Sequence, residues 1–489
     1  MAATEDLARV RRERSVSPAR PERRAWFIQW VLALAPALMM AVLLSRAVWD
    51  VDIFWQLKLG ELILHAGHPI HREPFSITHL GEPLPAIAWL GQALFAQARL
   101  LGGWTGLRIF DALCWCGGFW ALAAACRRRG ASAAATALGL ALAFIGALPA
   151  ASIRPQSFAA LCFGSLLALL KLELRTWRTV AFAVPLLVLW QNLHPSVSIA
   201  AVALAAHAGG GWLAWFRDRS RPRPWAASLL VPAAGLATLA TPDGLSAIVV
   251  SARNAQASML VGASEWLPLW IPANWTNAVP VLAVTLVAVL SLRRRDGPLP
   301  WNDIATMAVL LAATITAYRF VLFWAIAVVP VIARPSRQRD TVEFRLPPWI
   351  MPAALAAVLA ALPVLRPTHF SENLPLAAVA RLRATAVTGT IFTEPEFGGV
   401  VIDAGYPRWR VSYDGRYYRY TDDEWGRFGQ VLDGSVRLSE IERRYRPAAF
   451  VLRPSHSTPL CQELDRDRSR WRRIWQDQGA AVWIPVGAG

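Results

Sequence analysis

The segment WDVDIFW at residues 49–55 holds two carboxylates two positions apart, Asp50 and Asp52, with a tryptophan at either end. Carboxylate oxygens are ligands for divalent cations, and a carboxyl group whose pKa is raised can act as a general base. A short DxD pattern is a weak motif, however, and polar residues among interfacial tryptophans are common at membrane boundaries. We predict the pair as a catalytic site, with the metal ligands unknown and a divalent cation left as an open alternative.

Two arginines and one histidine are further candidates, because each stands where a helix is expected to end. Arg154 lies in ASIRPQSF, directly before Pro155, and Arg319 lies in TAYRF. A guanidinium in such a place can hold a phosphate through two parallel hydrogen bonds, or it can simply reach for the membrane interface. His194, in WQNLHPS, could shuttle a proton or contact a phosphate; the alternative is a hydrogen bond to a backbone carbonyl. We predict all three as substrate-binding residues.

Trp55, Lys58 and Glu265 complete the predicted substrate-binding set. Trp55 closes the WDVDIFW segment, Lys58 follows it by one helical turn, and Glu265 lies in the tripeptide SEW. Ionisable groups close to a membrane are costly and tend to mark functional sites. For Lys58 the alternative is that it belongs to the solvated face of a surface helix.

The last quarter of the chain contains two polar motifs, SYDGRYYRY and TEPEFGG. Asp414 and Gly415 of the first motif, and Glu394 and Glu396 of the second, could contact a ligand. The favoured interpretation is structural, because DG ends a strand in a turn and GG marks a tight turn or the start of a helix. The sequence contains no P-loop, GxSxG or HExxH motif.

Apolar stretches must position these polar residues. About 20 mostly apolar residues are needed to cross a hydrocarbon core about 30 Å thick. By that criterion the chain contains about eleven membrane spans, at residues 26–45, 104–125, 131–149, 157–170, 179–193, 196–216, 226–241, 277–292, 302–317, 320–333 and 348–365.

Basic residues are concentrated in every second connection between these spans. Lys and Arg resist translocation and stay on the cytoplasmic side. The N-terminus is therefore predicted to be cytoplasmic, and the chain from residue 366 onward to be extracytoplasmic. The basic connections are residues 9–24, 127–129, 171–178, 217–223, 293–295 and 334–345. All the candidate residues above then fall on the outer face.

The composition agrees with a membrane protein: 55% of the 489 residues are hydrophobic, 17% are charged, and the formal net charge is +17. A soluble domain is usually about 25% charged. The positive charge is explained by topology and by attraction to anionic membrane lipids, so that no nucleic-acid partner is predicted.

Three regions follow from this pattern. Residues 1–25 are predicted as a disordered basic cytoplasmic tail, residues 26–365 as the transmembrane domain, and residues 366–489 as a small extracytoplasmic α/β domain. The outer loop 46–103 contains two amphipathic stretches, which are expected to lie along the membrane surface. The fold class is thus an α-helical polytopic membrane protein with a small external α/β C-terminal domain.

The order of these elements resembles the GT-C superfamily of glycosyltransferases: one span, an outer loop that begins with an acidic pair, two surface helices, many spans and an external C-terminal domain. The motifs WDVDIFWQLKLGELIL, EPFSITHLGEPL, IRPQSF, LWQNLH, TPDGL, SEW, FTEPEFGGVVI and VSYDGR are similar to those of a poorly characterised bacterial group in that superfamily. The resemblance covers nearly the whole chain after residue 25.

The resemblance implies transfer of a sugar from a polyprenyl-phosphate carrier, with Asp50 activating the acceptor and Asp52 supporting it. Arg154, His194 and Arg319 would stabilise the departing phosphate. The WWD-type motif of oligosaccharyltransferases is absent, and Glu73 stands where many relatives have Asp before Pro-Phe-Ser. Oligosaccharyl transfer to asparagine is therefore disfavoured.

We accordingly expect a multi-pass glycosyltransferase of a bacterial inner membrane, with membrane lipids and a polyprenyl-phosphate-linked sugar as partners. Its role would lie in cell-envelope polysaccharide biosynthesis. The sequence leaves open the sugar, the acceptor, the cofactor and the oligomeric state. Two other classes stay open: a non-catalytic scaffold for envelope polysaccharide assembly, and a lipid or glycan transporter, which would favour internal repeats and polar sites at the membrane midplane.

Overall fold

A computed structural model describes residues 19–293, 298–335 and 347–487, with only the backbone described for residues 19–25. The predicted disordered tail, 1–25, lies mostly outside the described residues, and its last part begins the first helix. Much of the basic connections 293–295 and 334–345 also lies outside them.

Thirteen helices precede residue 366 in the described part of the chain, and one lies at each of the eleven predicted spans. They are α1 (Ala19–Leu44), α2 (Asp52–Ala66), α3 (Trp89–Arg128), α4 (Ala133–Ala147), α5 (Gln156–Lys171), α6 (Thr176–Leu193), α7 (Val197–Arg217), α8 (Trp225–Ala237), α9 (Leu245–Leu260), α10 (Trp275–Leu292), α11 (Trp301–Thr316), α12 (Val321–Ile332) and α13 (Ile350–Leu365).

Five helical segments are long and apolar enough to cross a membrane: Trp26–Leu44, Trp89–Arg128, Ala133–Ala150, Val197–Arg217 and Pro272–Leu292. Five further apolar helices are shorter, among them α12. Every residue of α12 is buried, as expected of a helix that is apolar all round. The fold is therefore that of a multi-pass helical membrane protein, while the count of eleven spans stays a prediction.

The two predicted amphipathic helices of the outer loop are present as α2 and the first part of α3, which bends at Gly102 and Gly103. The expectation that α2 lies along the membrane surface is not met, because the apolar residues Phe54, Leu59 and Ile63 of this helix are buried in protein. A Cβ atom on Gly60 would lie 2.2 Å from the carbonyl oxygen of Gln92. Glycine thus lets α2 lie against α3, and α2 becomes a rigid support for the residues at its start.

The region after residue 366 forms a five-stranded sheet covered by helices. The elements are α14 (Leu376–Arg383), β1 (Gly389–Thr393), α15 (Pro395–Gly405), β2 (Trp409–Val411), α16 (Asp422–Asp433), α17 (Leu438–Tyr445), β3 (Pro447–Leu452), α18 (Thr458–Arg466), β4 (Trp471–Gln476) and β5 (Ala481–Pro485). The strand order is β2-β1-β3-β5-β4, with β2, β1 and β3 parallel and the two remaining pairings antiparallel. The predicted α/β character is confirmed.

The carboxyl ends of the parallel strands carry polar groups: Glu394 follows β1, Asp414 follows β2, and Arg453 follows β3. The outer loop joins the same sheet, because Ser76 forms a parallel bridge with Val411. In open parallel sheets, ligand sites lie outside the carboxyl ends of the strands. The carboxyl end of β2 therefore lies against the outer loop.

Connections that are predicted to lie on the basic side of the membrane contact one another, in agreement with the predicted alternation of sides. Arg129, after α3, pairs with Glu173, after α5. Lys171, at the end of α5, lies 2.6 Å from Asp303, at the start of α11. Connections predicted for the same side thus contact one another. Which side faces the cytoplasm remains a prediction from the arginine distribution.

Candidate active site

Arg154 gathers three carboxylates around one guanidinium. Its Nε pairs with a carboxylate oxygen of Asp50. Its Nη2 lies 3.1 Å from Asp52 Oδ2, and its Nη1 lies 3.3 Å from Glu265 Oε2. Arg154 occupies the turn before α5, where Pro155 can stand at a helix start without losing a hydrogen bond. The predicted residues from three distant parts of the chain therefore form one cluster.

Arg319 extends this cluster. Its Nη1 lies 3.7 Å from Glu265 Oε1, so one glutamate lies between two guanidiniums. The guanidinium of Arg319 also lies 3.6 Å from the ring centroid of Trp266, a stacking arrangement that is typical of arginine. One carboxylate thus contacts two positively charged groups.

The two aspartates have different surroundings. Asp50 is 1% exposed and accepts a hydrogen bond from the backbone N–H of Asp52 at 2.9 Å. The Asp52 side chain is 22% exposed, and its Oδ1 accepts from Trp55 Nε1 at 3.1 Å. Asp52 lines a cavity, whereas Asp50 is not among the residues that line it. The geometry therefore favours Asp52 as the reactive carboxylate, in place of the leading role that the resemblance implied for Asp50.

Burial raises the pKa of Asp52 to about 7, a net value to which the charge of Arg154 contributes a lowering and the negative charge of Asp50 a raising. A carboxyl group with a pKa near the working pH is suited to proton transfer. Burial, helped by Arg319 and Arg154, lowers the pKa of His194 to about 3. His194 is thus a neutral hydrogen-bonding group, and its Nδ1 lies 2.8 Å from Ser196 Oγ.

A cavity of about 670 Å³ opens beside this cluster. Its walls come from the outer loop, from the outer ends of the membrane helices and from the C-terminal domain. The lining includes Trp49, Asp52, Trp55, Trp89, Arg154, His194, Ser251, Asn254, Ser258, Glu265, Trp266, Asn277, Arg319, Gly415, Arg416, Tyr417 and Tyr418. Aromatic walls with a few convergent polar groups are the usual make-up of a ligand site.

The structure brings together seven of the eight predicted site residues, namely Asp50, Asp52, Trp55, Arg154, His194, Glu265 and Arg319. Lys58 lies apart, because its Nζ lies 2.6 Å from Glu61 Oε2 and it is not among the cavity-lining residues. Glu61 in turn pairs with Arg99, which also binds Asp403. Lys58 is therefore part of an ion-pair network outside the cavity, and with its side chain 15% exposed it does not belong to a solvated helix face.

Two other polar residues at the outer ends support the loop. Asn192 Oδ1 accepts from Trp89 Nε1 at 2.8 Å. Asp243 Oδ2 accepts from the backbone N–H of Ala86 at 2.6 Å. These side chains fix the segment that leads into α3, so that the cavity wall has a defined shape.

One cavity wall is the helix α9, whose two faces differ. The cavity is lined by Ser251, Asn254 and Ser258 of this helix. Residues three and four positions apart lie on one face of a helix. On the opposite side the helix exposes large apolar residues, Leu245 (69%), Val249 (65%) and Leu260 (57%). A helix with this division is suited to lie at a membrane boundary, and here it would separate the cavity from the surrounding lipid.

The C-terminal domain reaches the site through Gly415. A Cβ atom there would lie 2.2 Å from Asp52 Oδ1, far closer than van der Waals contact. The neighbouring α15 approaches in the same manner, because a Cβ atom on Gly399 would lie 2.5 Å from the carbonyl oxygen of Val51. Glycine at positions 399 and 415 therefore lets the C-terminal domain contact the segment that carries Asp52.

A buried ion-pair network holds that contact in place. The Arg416 guanidinium donates to Glu73 at 2.6 and 2.8 Å and to Asp414 at 2.9 and 2.6 Å, and all three side chains are 0% exposed. Glu73 belongs to the outer loop, whereas the other two belong to the C-terminal domain. In the sequence, Glu73 differs from other residues only as a departure from a motif. Its ion pair with Arg416, which joins the outer loop to the C-terminal domain, is visible only in the structure.

Another carboxylate group lies at the same sheet edge. Ligand atoms of Glu394, Glu396 and His456 all lie within 4.8 Å of one another, a spacing that could suit a cation. Glu394 is already engaged, however, because it accepts from the backbone N–H of Arg453, from Ser457 Oγ, and pairs with His456 Nδ1. Its surroundings are those of a structural anchor.

Replacing Gly415 with alanine tests whether the domain positions Asp52. We expect the new methyl group to push Asp52 away from its contact with Arg154, and so to lower any activity that depends on Asp52 by about tenfold to a hundredfold. Gly426→Ala is the matched control, because a Cβ atom there meets nothing within 4 Å. Equal activity of the two variants, measured at equal thermal stability, would contradict the positioning role.

Comparison with protein-family models and with curated proteins gives no match. Among solved structures, the oligosaccharyltransferase of Archaeoglobus fulgidus, crystallised with a tethered acceptor peptide that contains the NVT sequon, aligns with a TM-score of 0.56. The two chains are 12% identical, and the alignment covers 94% of this chain and 74% of that chain. ArnT from Cupriavidus metallidurans, in the apo state, aligns over 94% of this chain and 98% of its own at 12% identity, with a TM-score of 0.36, too low to indicate a shared fold by itself.

The alignment with the archaeal protein shows that the two chains share a fold. The fold that the sequence resemblance implied is therefore one that a solved oligosaccharyltransferase adopts, over 94% of this chain. At 12% identity the likeness concerns the fold and leaves activity to be argued from the site.

Proposed function

We propose that this protein is a membrane glycosyltransferase that moves a sugar from a polyprenyl-phosphate carrier to a lipid, glycan or protein acceptor outside the cytoplasm. The observation that supports this most is a cavity-facing carboxylate, Asp52, beside the guanidiniums of Arg154 and Arg319. The fold is one that a known transferase uses, and the site offers a base and an anion-stabilising pair, which such a transfer requires.

In the proposed reaction, Asp52 takes the proton of an acceptor hydroxyl. The acceptor oxygen then bonds to the anomeric carbon of the sugar, and the bond from that carbon to the phosphate oxygen breaks with its electron pair on the phosphate. Arg154 and Arg319 stabilise the negative charge that grows there. Attack from the face opposite the leaving phosphate inverts the configuration of the sugar.

Asp50 serves as a positioning residue in this scheme. It is buried, pairs with the Arg154 guanidinium and accepts from the backbone N–H at the start of α2. Its charge also helps to raise the pKa of Asp52. Because Asp50 and Asp52 are both engaged by Arg154, the scheme contains no step that runs through a divalent cation.

A lipid-linked donor suits the surroundings of the cavity. The helix α9 has polar residues toward the cavity and large apolar residues on its exposed face. A carrier whose apolar chain lies in the outer leaflet could therefore place its phosphate beside Arg319 without leaving the membrane. Neutral His194 would supply a hydrogen bond to the same group.

The proposed location is a bacterial inner membrane, with the N-terminus in the cytoplasm and the cavity on the opposite face. The support is the positive-inside distribution of arginine together with the contacts among connections that are predicted to share the basic side. An acceptor on that face belongs to the cell envelope, which agrees with a role in envelope polysaccharide biosynthesis.

The direct experiment uses the full chain in sealed vesicles, oriented so that the cavity of the protein faces outward. It measures the release of undecaprenyl phosphate from an undecaprenyl-phosphate sugar. We expect release when donor and envelope acceptors are added outside, and at least tenfold less release by Arg319→Gln, because that change removes one of two charges that stabilise the leaving group. Arg253→Gln is the matched control, since Arg253 is exposed on α9 and does not line the cavity beside Asp52.

Failure of the wild-type chain to release carrier from any lipid-linked sugar, together with an unchanged envelope glycan profile in a deletion strain, would refute the proposed activity. An altered glycan profile without release in vitro would instead favour the scaffold.

A further inference from the structure

Glu265 is the most exposed charged group of the arginine cluster. Its side chain is 42% exposed, against 25% for Arg319, 23% for Arg154, 22% for Asp52 and 1% for Asp50. It stands on a single short 3-10 turn, Ser264–Trp266, in the connection between α9 and α10. Of the three carboxylates, Glu265 is therefore the one that can leave with the least rearrangement.

The charge balance of the cluster favours such a departure when an anion enters. In the described part of the chain, Asp50, Asp52 and Glu265 pair with Arg154 and Arg319, so the cluster has one negative charge in excess when all three carboxylates are ionised. A phosphate that approached the occupied cluster would meet this excess charge and a carboxylate already placed between the guanidiniums. Like charges at this separation repel strongly in a partly buried site.

Both arginines have supports that do not depend on Glu265. Arg154 is held by Asp50 and by Asp52, and Arg319 stacks on the ring of Trp266 at 3.6 Å. The contacts of Glu265 to the two guanidiniums, at 3.3 and 3.7 Å, are also longer than the 3.1 Å contact from Arg154 to Asp52. Removing the Glu265 carboxylate would leave two guanidiniums prearranged for an anion.

We propose that Glu265 is an exchangeable counter-ion, whose carboxylate occupies the place between Arg154 and Arg319 that the phosphate of the lipid carrier takes. When the phosphate binds, the Glu265 side chain turns toward the cavity. After the transfer, Glu265 competes with the phosphate for the two guanidiniums and so helps to release it. Glu265 thereby sets the affinity of the site for phosphate and prevents the carrier product from remaining bound. This inference rests on the proposed function, because it assigns a lipid phosphate to the same cavity.

The test compares the affinity of the full chain in detergent for undecaprenyl phosphate and for inorganic phosphate. Glu265→Gln keeps the shape of the side chain and removes its charge. We expect it to lower the Kd for undecaprenyl phosphate by about tenfold, since the anion no longer competes with a carboxylate. Glu82→Gln is the matched control, because Glu82 is 52% exposed in the outer loop and is not a cavity-lining residue; its Kd should stay within about twofold of wild type.

Arg319→Gln separates the two proposals, because it should weaken lipid-phosphate binding in every background. If the wild type binds undecaprenyl phosphate and Arg319→Gln weakens this binding, but Glu265→Gln leaves it unchanged or weaker, the counter-ion role is refuted and the proposed function stands. If the wild type binds no undecaprenyl phosphate and neither variant changes that, both proposals fail. A matching gain in affinity for inorganic phosphate would assign the competition to the phosphate group itself, and a gain for the lipid alone would assign it to the carrier; either result supports the exchange.

Discussion

Replacing Asp52 with asparagine is expected to lower the rate of sugar transfer by about a hundredfold to ten-thousandfold, the usual contribution of a general base. The amide keeps the shape of the side chain and can still accept from Trp55 Nε1, but it cannot take a proton from the acceptor. The measurement is the rate of carrier release at saturating donor, with thermal stability as a check that the fold is intact.

The pH dependence gives this prediction a signature that a structural role would not produce. The base works only when it is deprotonated, and burial raises the pKa of Asp52 to about 7. The transfer rate of the wild type should therefore rise about tenfold per pH unit below pH 7 and level off above it. The residual rate of Asp52→Asn should be flat across the same range.

Asp50→Asn provides the comparison within the same segment. Asp50 lies behind the cavity and engages Arg154, so its loss should weaken donor binding and lower the apparent pKa of the rise, because the charge of Asp50 no longer raises the pKa of Asp52. A pH profile that disappears in Asp50→Asn but survives in Asp52→Asn would return the base to Asp50.

The membrane region was predictable because its signals are long and local. Runs of apolar residues and clusters of arginines can be recognised without any knowledge of contacts. A helix lies at each predicted span. The gathering of Arg154, Glu265 and Arg319 at one face also followed from alternating topology. Which of Asp50 and Asp52 faces the cavity did not, since the two differ only in how α2 and Arg154 lie beside them.

The missed features depend on pairings between distant segments. The strand β4, WRRIWQ, has exposed arginines at positions 472 and 473, so its apolar alternation is weak, and its place at the sheet edge comes from pairing with β5. Tyr417 and Tyr418 border the cavity because Arg416 draws their loop toward Glu73. No local pattern in RYYRY predicts that Arg416 pairs with Glu73, which lies 343 residues away in the sequence.

The ion pairs of Arg416 with Glu73 and Asp414 are expected to have a large effect on stability. Arg416→Met should destabilise the contact between the outer loop and the C-terminal domain by about 3–5 kcal/mol, because it leaves the buried Asp414 without its counter-ion and leaves Glu73 with the longer, 3.7 Å contact to Arg419 Nε. Burial alone would raise the pKa of Glu73, yet the charge and hydrogen bonds of Arg416 hold it below its usual value, which shows how much the pair depends on the guanidinium. Limited proteolysis of the region after residue 366 and thermal unfolding would measure the loss. Arg470→Gln is the control, since Arg470 is 56% exposed and exposed ion pairs contribute about 0–1 kcal/mol.

A triple variant distinguishes lost charge compensation from lost shape. Combining Arg416→Met with Glu73→Gln and Asp414→Asn removes the unpaired charges but keeps the volumes, so it should recover more than half of the stability lost by Arg416→Met alone. Activity should not recover with it, because the neutral side chains no longer fix the loop that places Gly415 against Asp52. If stability and activity returned together, the network would be no more than an anchor; if stability returned and activity did not, the buried charges would be what aligns the external domain with the catalytic carboxylate.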